Sequence, residues 1–479
     1  MIYIYIEEYL EFKKQIEYTF KTIFNILKIK IKFIETINNV LADDIVINYG
    51  KEEVKKHKAI NIKPGKLFTN KYLSIDSLPN TPLKKYNNHP VIYLNNEDEP
   101  YCKIKEGYII TNIDVVQSIF FVITCYEEAI LFEQIRKDKC DRFPTNKSLA
   151  FKEKFTDIPI ANEYINWIFK WIKSLNSEYK RKLTFENHKF GACLTHDVDR
   201  PFKYTYALKN DIKRLKSINI YNNMKDVILH TMKNIDYKYD PYYTFDYIRK
   251  VEKKYNFNSS FYFMTGGETN YDNNYQINNP IIINLIKKLE EDNCEVGYHY
   301  SFNASEKYIL RENEKKILDS KVINKIYGGR NHYLRFRSPQ SWNIGEKTGL
   351  LYDTTLGYND IVGFRCGLCT PYRVFDIFEN KELDLWEIPL VIMDGALKNG
   401  KSVELSTDNA IREIIKYIEI VKKYNGIFTL LWHNSSFNDS MWLGSKKVYE
   451  NVLKYLYENE AFVLTGREII KKIRGNNYE

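Results

Sequence analysis

The spacing of apolar and polar residues changes once along this chain, near residue 189. Before that point, apolar residues recur at helical spacing from Tyr9 to Ile29 (Leu10, Ile16, Phe20, Ile23, Leu27). Short apolar runs at Asp44–Asn48 and Val91–Leu94 predict strands. Asn112 or Asp114 is placed to cap a helix running through Phe120, Ile123 and Ile130. Trp167, Phe169, Trp171 and Ile172 predict one more helix. Residues 1–180 therefore read as a smaller α+β domain, with the polar stretch Asn176–His188 as a linker.

From 185 to 479 strand-like and helix-like runs alternate. Strands are predicted at Phe190–Thr195, Ser259–Met264, Cys294–Tyr298, Tyr333–Phe336, Trp386–Ile392 and Gly426–Trp432. Amphipathic helices are predicted at Thr244–Lys254, Pro280–Glu291, Asp408–Tyr424, Lys446–Tyr457 and Arg467–Ile473. Such alternation implies parallel strands joined by crossover helices, hence an α/β barrel or an open sheet. Chemistry in such folds gathers at the C-terminal ends of strands. Here those ends carry His196, Asp197 and Asp199; His299 with Tyr300-Ser301-Phe302-Asn303; Arg337-Ser338-Pro339; and His433-Asn434-Ser435. Capping and solvation alone do not account for three of the eight histidines in these places.

Composition narrows the class. A hydrophobic share of 44% and a charged share of 28% describe an ordinary globular chain. Its 479 residues allow roughly two to four domains. The formal charge is +9, but basic and acidic residues are interspersed and no basic block with interleaved aromatics occurs, so no nucleic-acid partner is expected. The start Met1-Ile2-Tyr3-Ile4 lacks the features of a signal peptide, and the run Val115–Cys125 is about half the ~20 residues of a membrane span, so a cytoplasmic protein without a transmembrane segment is expected. Seven cysteines, most inside apolar runs, read as buried free thiols of a reducing compartment. Cys366-Gly367-Leu368-Cys369 has neither the second pair nor the nearby histidines that a zinc knuckle needs.

Taken together, these strand ends resemble the polysaccharide deacetylase family, the NodB-homology domain of carbohydrate esterase family four. The resemblance rests on Thr195-His196-Asp197-Val198-Asp199, His299 with Asn303, Phe336-Arg337-Ser338-Pro339, Tyr352-Asp353-Thr354-Thr355-Leu356 and Leu430-Leu431-Trp432-His433. It implies a distorted, incomplete (β/α) barrel that removes acetyl groups from N-acetylated sugars. It also implies one divalent metal, zinc first, with cobalt, manganese or nickel as the others. In that scheme Asp197 is the base, Arg337 its holder and His433 the acid, while Asp199, His299 and Asn303 hold the metal. Arg365, Asp353 and Trp432 would bind the carbohydrate substrate, with a surface or ion-paired arginine as the equal alternative for Arg365. Thr124-Cys125-Tyr126-Glu127-Glu128, Arg142-Phe143-Pro144 and Ser148-Leu149-Ala150 resemble a domain that precedes such barrels in some bacterial proteins.

The chemistry is coherent without the family. Amide hydrolysis needs an activated water, a stabilised oxyanion and a proton for the departing amine. Asn303 stands where an imidazole is expected, and a carboxamide is a poorer zinc ligand. Three arrangements stay open: metal binding through Asp199, His299 and Asn303; His196 supplying the second imidazole; or a barrel that has lost its metal and only binds glycans. Hydrolysis of a non-sugar amide is a further alternative. His332, at the start of a predicted strand, reads as structural, and Asp394 in Met393-Asp394-Gly395, which follows a strand, either lines the pocket or caps a turn, with the turn favoured.

Overall fold

The computed structural model describes residues 1–479 except 8–10, 39, 42, 97–98, 186, 205–219, 273–274, 400–405, 439–441 and 476–479. The N-terminal region is built on a six-stranded sheet. Its strands are β1 (Ile2–Ile6), β2 (Ile31–Ile34), β3 (Ile45–Tyr49), β4 (Lys58–Ile62), β5 (Cys102–Lys105) and β6 (Tyr108–Thr111), in the order β2-β1-β3-β4-β6-β5. All neighbours run parallel except β5, which is antiparallel to β6. A mostly parallel sheet departs from the α+β expectation. The reason is visible in β3, where Ile45-Val46-Ile47-Asn48-Tyr49 is buried throughout, as parallel strands covered on both faces are. Helix α1 (Lys13–Leu27) crosses from β1 to β2, and α2 (Val115–Ile123) and α3 (Ile160–Leu175) pack with it. Asp114 caps α2, its Oδ1 accepting from the Gln117 amide at 2.9 Å. Val91–Leu94 is not a strand; Leu94 makes only an isolated bridge to Ile113.

The C-terminal region carries a ten-stranded sheet. Its strands are β7 (Gly191–Val198), β8 (Ser260–Phe263), β9 (Glu295–Tyr300), β10 (Gly329–Asn331), β11 (Tyr352–Asp353), β12 (Tyr372–Asp376), β13 (Lys381–Glu387), β14 (Ile392–Met393), β15 (Ile427–Leu431) and β16 (Phe462–Val463). They lie in the order β12-β13-β11-β10-β9-β8-β7-β15-β14, with β16 also paired to β7. Only the β12–β13 pair is antiparallel. Helices α4 (Phe245–Lys253), α5 (Pro280–Glu291), α6 (Tyr308–Asp319) and α7 (Gln340–Lys347) fall between successive strands from β7 to β11.

This sheet is curled. In a flat sheet β10 lies about 14 Å from β7, three spacings of ~4.8 Å. Yet Arg330 of β10 donates to Thr195 Oγ1 at 3.0 Å and to Asp197 Oδ1 at 2.8 Å, both on β7. The sheet must bend inward for those groups to meet across its concave face.

The two regions share one apolar core. The ring of Tyr18 on α1 lies 4.7 Å from that of Phe375 on β12. The Tyr372 hydroxyl donates to the Ile123 carbonyl at 2.8 Å, and the Ala161 amide to the Gly367 carbonyl at 2.9 Å. All seven cysteines are free, and Cys369 faces the Asn162 side chain rather than Cys366. Among the described residues no helix is long and apolar enough to cross a membrane.

Candidate active site

The site grows from β7. Side chains alternate along a strand, so Asp197 and Asp199 emerge on one face and His196 on the other. His196 is buried behind the sheet, with Nδ1 2.6 Å from the Trp432 carbonyl and Nε2 3.0 Å from Glu252 of α4, and it supplies nothing to the site. Asp197 is held by Arg330, whose guanidinium is itself fixed by the Thr354 carbonyl at 2.9 Å. Arg330 is fully buried, so a fixed positive charge stands beside Oδ1 while Oδ2 is left to the cavity.

Arg337, expected to hold this base, does not reach it. It pairs with Glu133 of the N-terminal region and lies over the Phe132 ring. The cause is a shift of the strand. The predicted run Tyr333–Phe336 is not extended; the strand is Gly329–Asn331, which puts the arginine at 330. Glycine is needed at 329, where a Cβ would lie 2.3 Å from the Tyr298 carbonyl oxygen of the neighbouring strand.

Asp199, His299 and His332 converge, each offering one ligand atom, and these atoms lie within 4.8 Å of one another. His332 Nε2 faces the Tyr271 carbonyl at 2.9 Å. A carbonyl only accepts, so Nε2 carries the proton and Nδ1 keeps its lone pair. That Nδ1 is 3.0 Å from His299 Nε2, which is 3.1 Å from Asp199 Oδ1. Asp199 Oδ1 and His299 Nδ1 are buried without a hydrogen-bond partner. A cation between the two imidazoles and the carboxylate would take up the Asp199 Oδ1 lone pair, while His299 Nδ1, on the far side of its ring, faces Asp197 Oδ2 at 3.8 Å. Burial opposes ionisation of Asp199, but His332, His299 and His433 around it hold its carboxyl well below the usual range. Burial keeps His332 below the ordinary imidazole value, the neutral state a ligand needs.

His332 thus stands where Asn303 was expected. Asn303 opens a short helical turn, its carbonyl accepting from the Lys307 amide at 3.2 Å, and it does not line the cavity. The turn that brings His332 in is unusual: Tyr333 and Leu334 both adopt positive φ, 60° and 54°. Bulky residues rarely do so, and such strain concentrates at functional sites.

His433 follows β15. Its Nδ1 is 2.7 Å from Asp394 Oδ1, and its backbone amide donates to Asp394 Oδ2 at 2.8 Å. Asp394 therefore clamps the imidazole while also accepting from the Gly395 amide at 2.6 Å, and Nε2 faces Asp199 at 3.7 Å. Burial opposes protonation of His433, yet Asp394 first, then Asp199 and Asp197, push its pKa up to about 10.

The proposed substrate-binding residues lie elsewhere. Arg365 forms a two-point pair with Glu128 on the short helix Tyr126–Leu131 that follows α2, at 2.9 and 2.6 Å. Asp353 is buried beneath the sheet, accepting from the Thr355 amide and the Tyr300 hydroxyl. Trp432 is fully buried and stacked 5.1 Å from Trp442. For Trp432 it is the neighbours Leu431 and His433 that line the concave side. A cavity of about 420 Å³ instead collects Asp197, Asp199, His299, His332, Asp394 and His433, walled by Tyr333, Trp442 and, from the N-terminal region, Lys139, Cys140 and Arg142. Sequence reasoning missed Arg330, His332 and Asp394; the Gly328-Gly329 pair just before Arg330 was the available sign of close strand packing.

The fold and site together define an α/β chain with a His/Asp metal-type cluster at its strand ends. A family model described as "Family of unknown function (DUF7033)" matches residues 2–177. No curated protein matches the chain. Among solved structures, a "putative polysaccharide deacetylase" of Mycobacterium smegmatis is 12% identical with a TM-score of 0.41, covering 61% of this chain and 93% of its own. Puue allantoinase is 9% identical with a TM-score of 0.40, covering 64% of this chain and 97% of its own. A "probable Polysaccharide deacetylase" of Pseudomonas aeruginosa PAO1 is 9% identical with a TM-score of 0.42, covering 64% of this chain and 98% of its own.

Proposed function

We propose that this chain is a metal-dependent hydrolase that removes acetyl groups from an N-acetylated sugar or polysaccharide, with a distorted, incomplete (β/α) barrel of the polysaccharide deacetylase type as its C-terminal domain. The observation that carries the reading is the convergence of three pairs on one cavity: Asp197 with Arg330, His433 with Asp394, and the Asp199–His299 contact completed by His332. A glycan-binding surface has no need of a carboxylate held by a buried arginine facing an imidazole held by a buried carboxylate. The motif resemblance at Asp197, Asp199, His299 and His433 supports the same reading.

Asp199, His299 and His332 would hold the metal, which when bound would supply a Lewis acid for the amide carbonyl. The chain's own residues supply the rest. Asp197 Oδ2, left free by the Arg330 contact on Oδ1, accepts a proton from the water that attacks the carbonyl carbon. Protonated His433 gives its Nε2 proton to the nitrogen as the carbon–nitrogen bond breaks, and Asp394 stabilises the imidazolium and fixes its tautomer. The products are acetate and a free amine, and both residues return to their starting states by exchange with water.

The test is acetate release from N-acetylhexosamine oligomers by metal-stripped protein reloaded with zinc, cobalt, manganese or nickel. Release that requires the metal and is lost in Asp197→Asn, with the metal still bound, is the expected result. Binding of these oligomers without any release, by protein shown to hold one metal, would sink the deacetylase reading.

A further inference from the structure

We propose that the loop at residues 138–142 of the N-terminal region is a working part of this site, with Arg142 as a positioning residue for the third ligand, His332. The proposal rests on the metal-site reading above and adds a role for the first region of the chain. Three separate contacts carry it. The Arg142 Nη1 donates to the Tyr333 carbonyl at 2.7 Å, so it holds the residue directly after His332, in the strained turn. The Tyr271 hydroxyl donates to the Lys139 carbonyl at 3.2 Å, while the Tyr271 carbonyl accepts from His332 Nε2 at 2.9 Å. The Arg335 Nη2 donates to Asp141 Oδ2 at 2.8 Å, fixing the far end of the turn.

The loop is built to be a rigid holder. Asp138 accepts from the amides of Cys140 and Arg142 at 2.9 and 3.0 Å, and its other oxygen takes Arg142 Nε and Nη2 at 2.8 and 2.6 Å. That leaves Arg142 Nη1 aimed at the turn. A backbone with two successive bulky residues at positive φ persists only where its surroundings fix it. Removing the surroundings releases His332, whose ring orientation depends on the Tyr271 carbonyl. Partners outside the ligand set typically change metal affinity by roughly 10–100-fold. The same loop lines the cavity through Lys139, Cys140 and Arg142, so the N-terminal region is both wall and holder.

The experiment uses the full chain, stripped of metal, with zinc binding followed by calorimetry and cobalt binding by visible absorption. Arg142→Ala is expected to weaken zinc roughly 10-fold or more and to change the cobalt spectrum, with Arg142→Lys restoring part of both. Arg337→Ala breaks another contact between the regions without touching the turn, and it is expected to leave both unchanged. Should Arg142→Ala fail to fold, Tyr271→Phe decides; it removes only the hydroxyl and is expected to weaken zinc several-fold. Folded Arg142→Ala or Tyr271→Phe with wild-type affinity and an unchanged cobalt spectrum overturns the proposal while leaving the metal site standing. A wild-type protein that binds neither ion overturns the metal site and this proposal with it.

Discussion

Both parallel sheets of this protein end their strands in polar side chains, yet only one sheet makes a site. In the N-terminal sheet Glu7, Asn61 and Asp114 are used up internally, although Asn48 Oδ1 on β3 is buried without a hydrogen bond. Glu7, just past β1, accepts from the amides of Lys51 and Glu52 at 3.0 and 2.8 Å. Asn61 on β4 exchanges hydrogen bonds with Val54 and donates to the Ile109 carbonyl. Asp114 takes the Tyr49 hydroxyl, the Gly65 amide and the Gln117 amide at 2.7, 2.7 and 2.9 Å. In the C-terminal sheet, Asp199 Oδ1 meets the rings of His299 and His332 at 3.1 and 3.5 Å, and His299 Nδ1 lies 3.8 Å from Asp197 Oδ2, all bordering one cavity. Polar residues at strand ends are thus a common feature of parallel sheets. What separates the two is that carboxylates and imidazoles from several strand ends meet at one cavity in the C-terminal sheet.

That contrast can be broken by mutation, and the effects should fall in order. The largest is Asp197→Asn, which is expected to lower kcat of the folded fraction by about 10²–10⁴-fold while leaving metal affinity intact, with some loss of stability because the buried Arg330 loses its counter-charge. Next is Arg365→Ala, which strands Glu128 in the interface between the two regions. Its side chain is only 11% exposed, so a loss of about 3–5 kcal/mol is expected in denaturant unfolding, with kcat of the folded fraction unchanged. Asp114→Ala removes the α2 cap and is expected to cost about 2 kcal/mol, again without touching metal binding. The smallest is Arg337→Ala; its partner Glu133 is 65% exposed, and a change within about 1 kcal/mol is expected. A fall in kcat with Arg337→Ala comparable to that of Asp197→Asn would restore that arginine to the site and undo the comparison.

Much of the C-terminal region was legible because its elements are long and regular. The strand at Gly191–Val198 and the helix at Pro280–Glu291 follow directly from period and capping: Asn279 caps the helix and proline occupies its first turn. Asp197 and Asp199 share a face for the same reason that excludes His196. What failed was short or strained. The three-residue strand Gly329–Asn331 has too few positions to show a period, and the apolar letters after it, Tyr333 and Leu334, sit in left-handed turn conformations. Reading them as the strand displaced the arginine by seven positions and made His332 look like a strand start. No spacing rule links His332 to His299, because their meeting depends on the pairing of β9 with β10 and on that turn. Arg337 and Arg365 differ for another reason: sequence shows an arginine's neighbours in the chain, not the glutamates of another region with which it pairs.

The central claim is that His332, rather than Asn303, completes a metal site with Asp199 and His299. Calorimetric titration of zinc into metal-stripped wild type, His332→Ala and Asn303→Ala tests it most directly. One equivalent bound by the wild type and by Asn303→Ala, with binding lost or weakened by roughly two orders of magnitude in His332→Ala, is the result the geometry predicts. Loss of zinc in Asn303→Ala with His332→Ala unaffected would contradict it.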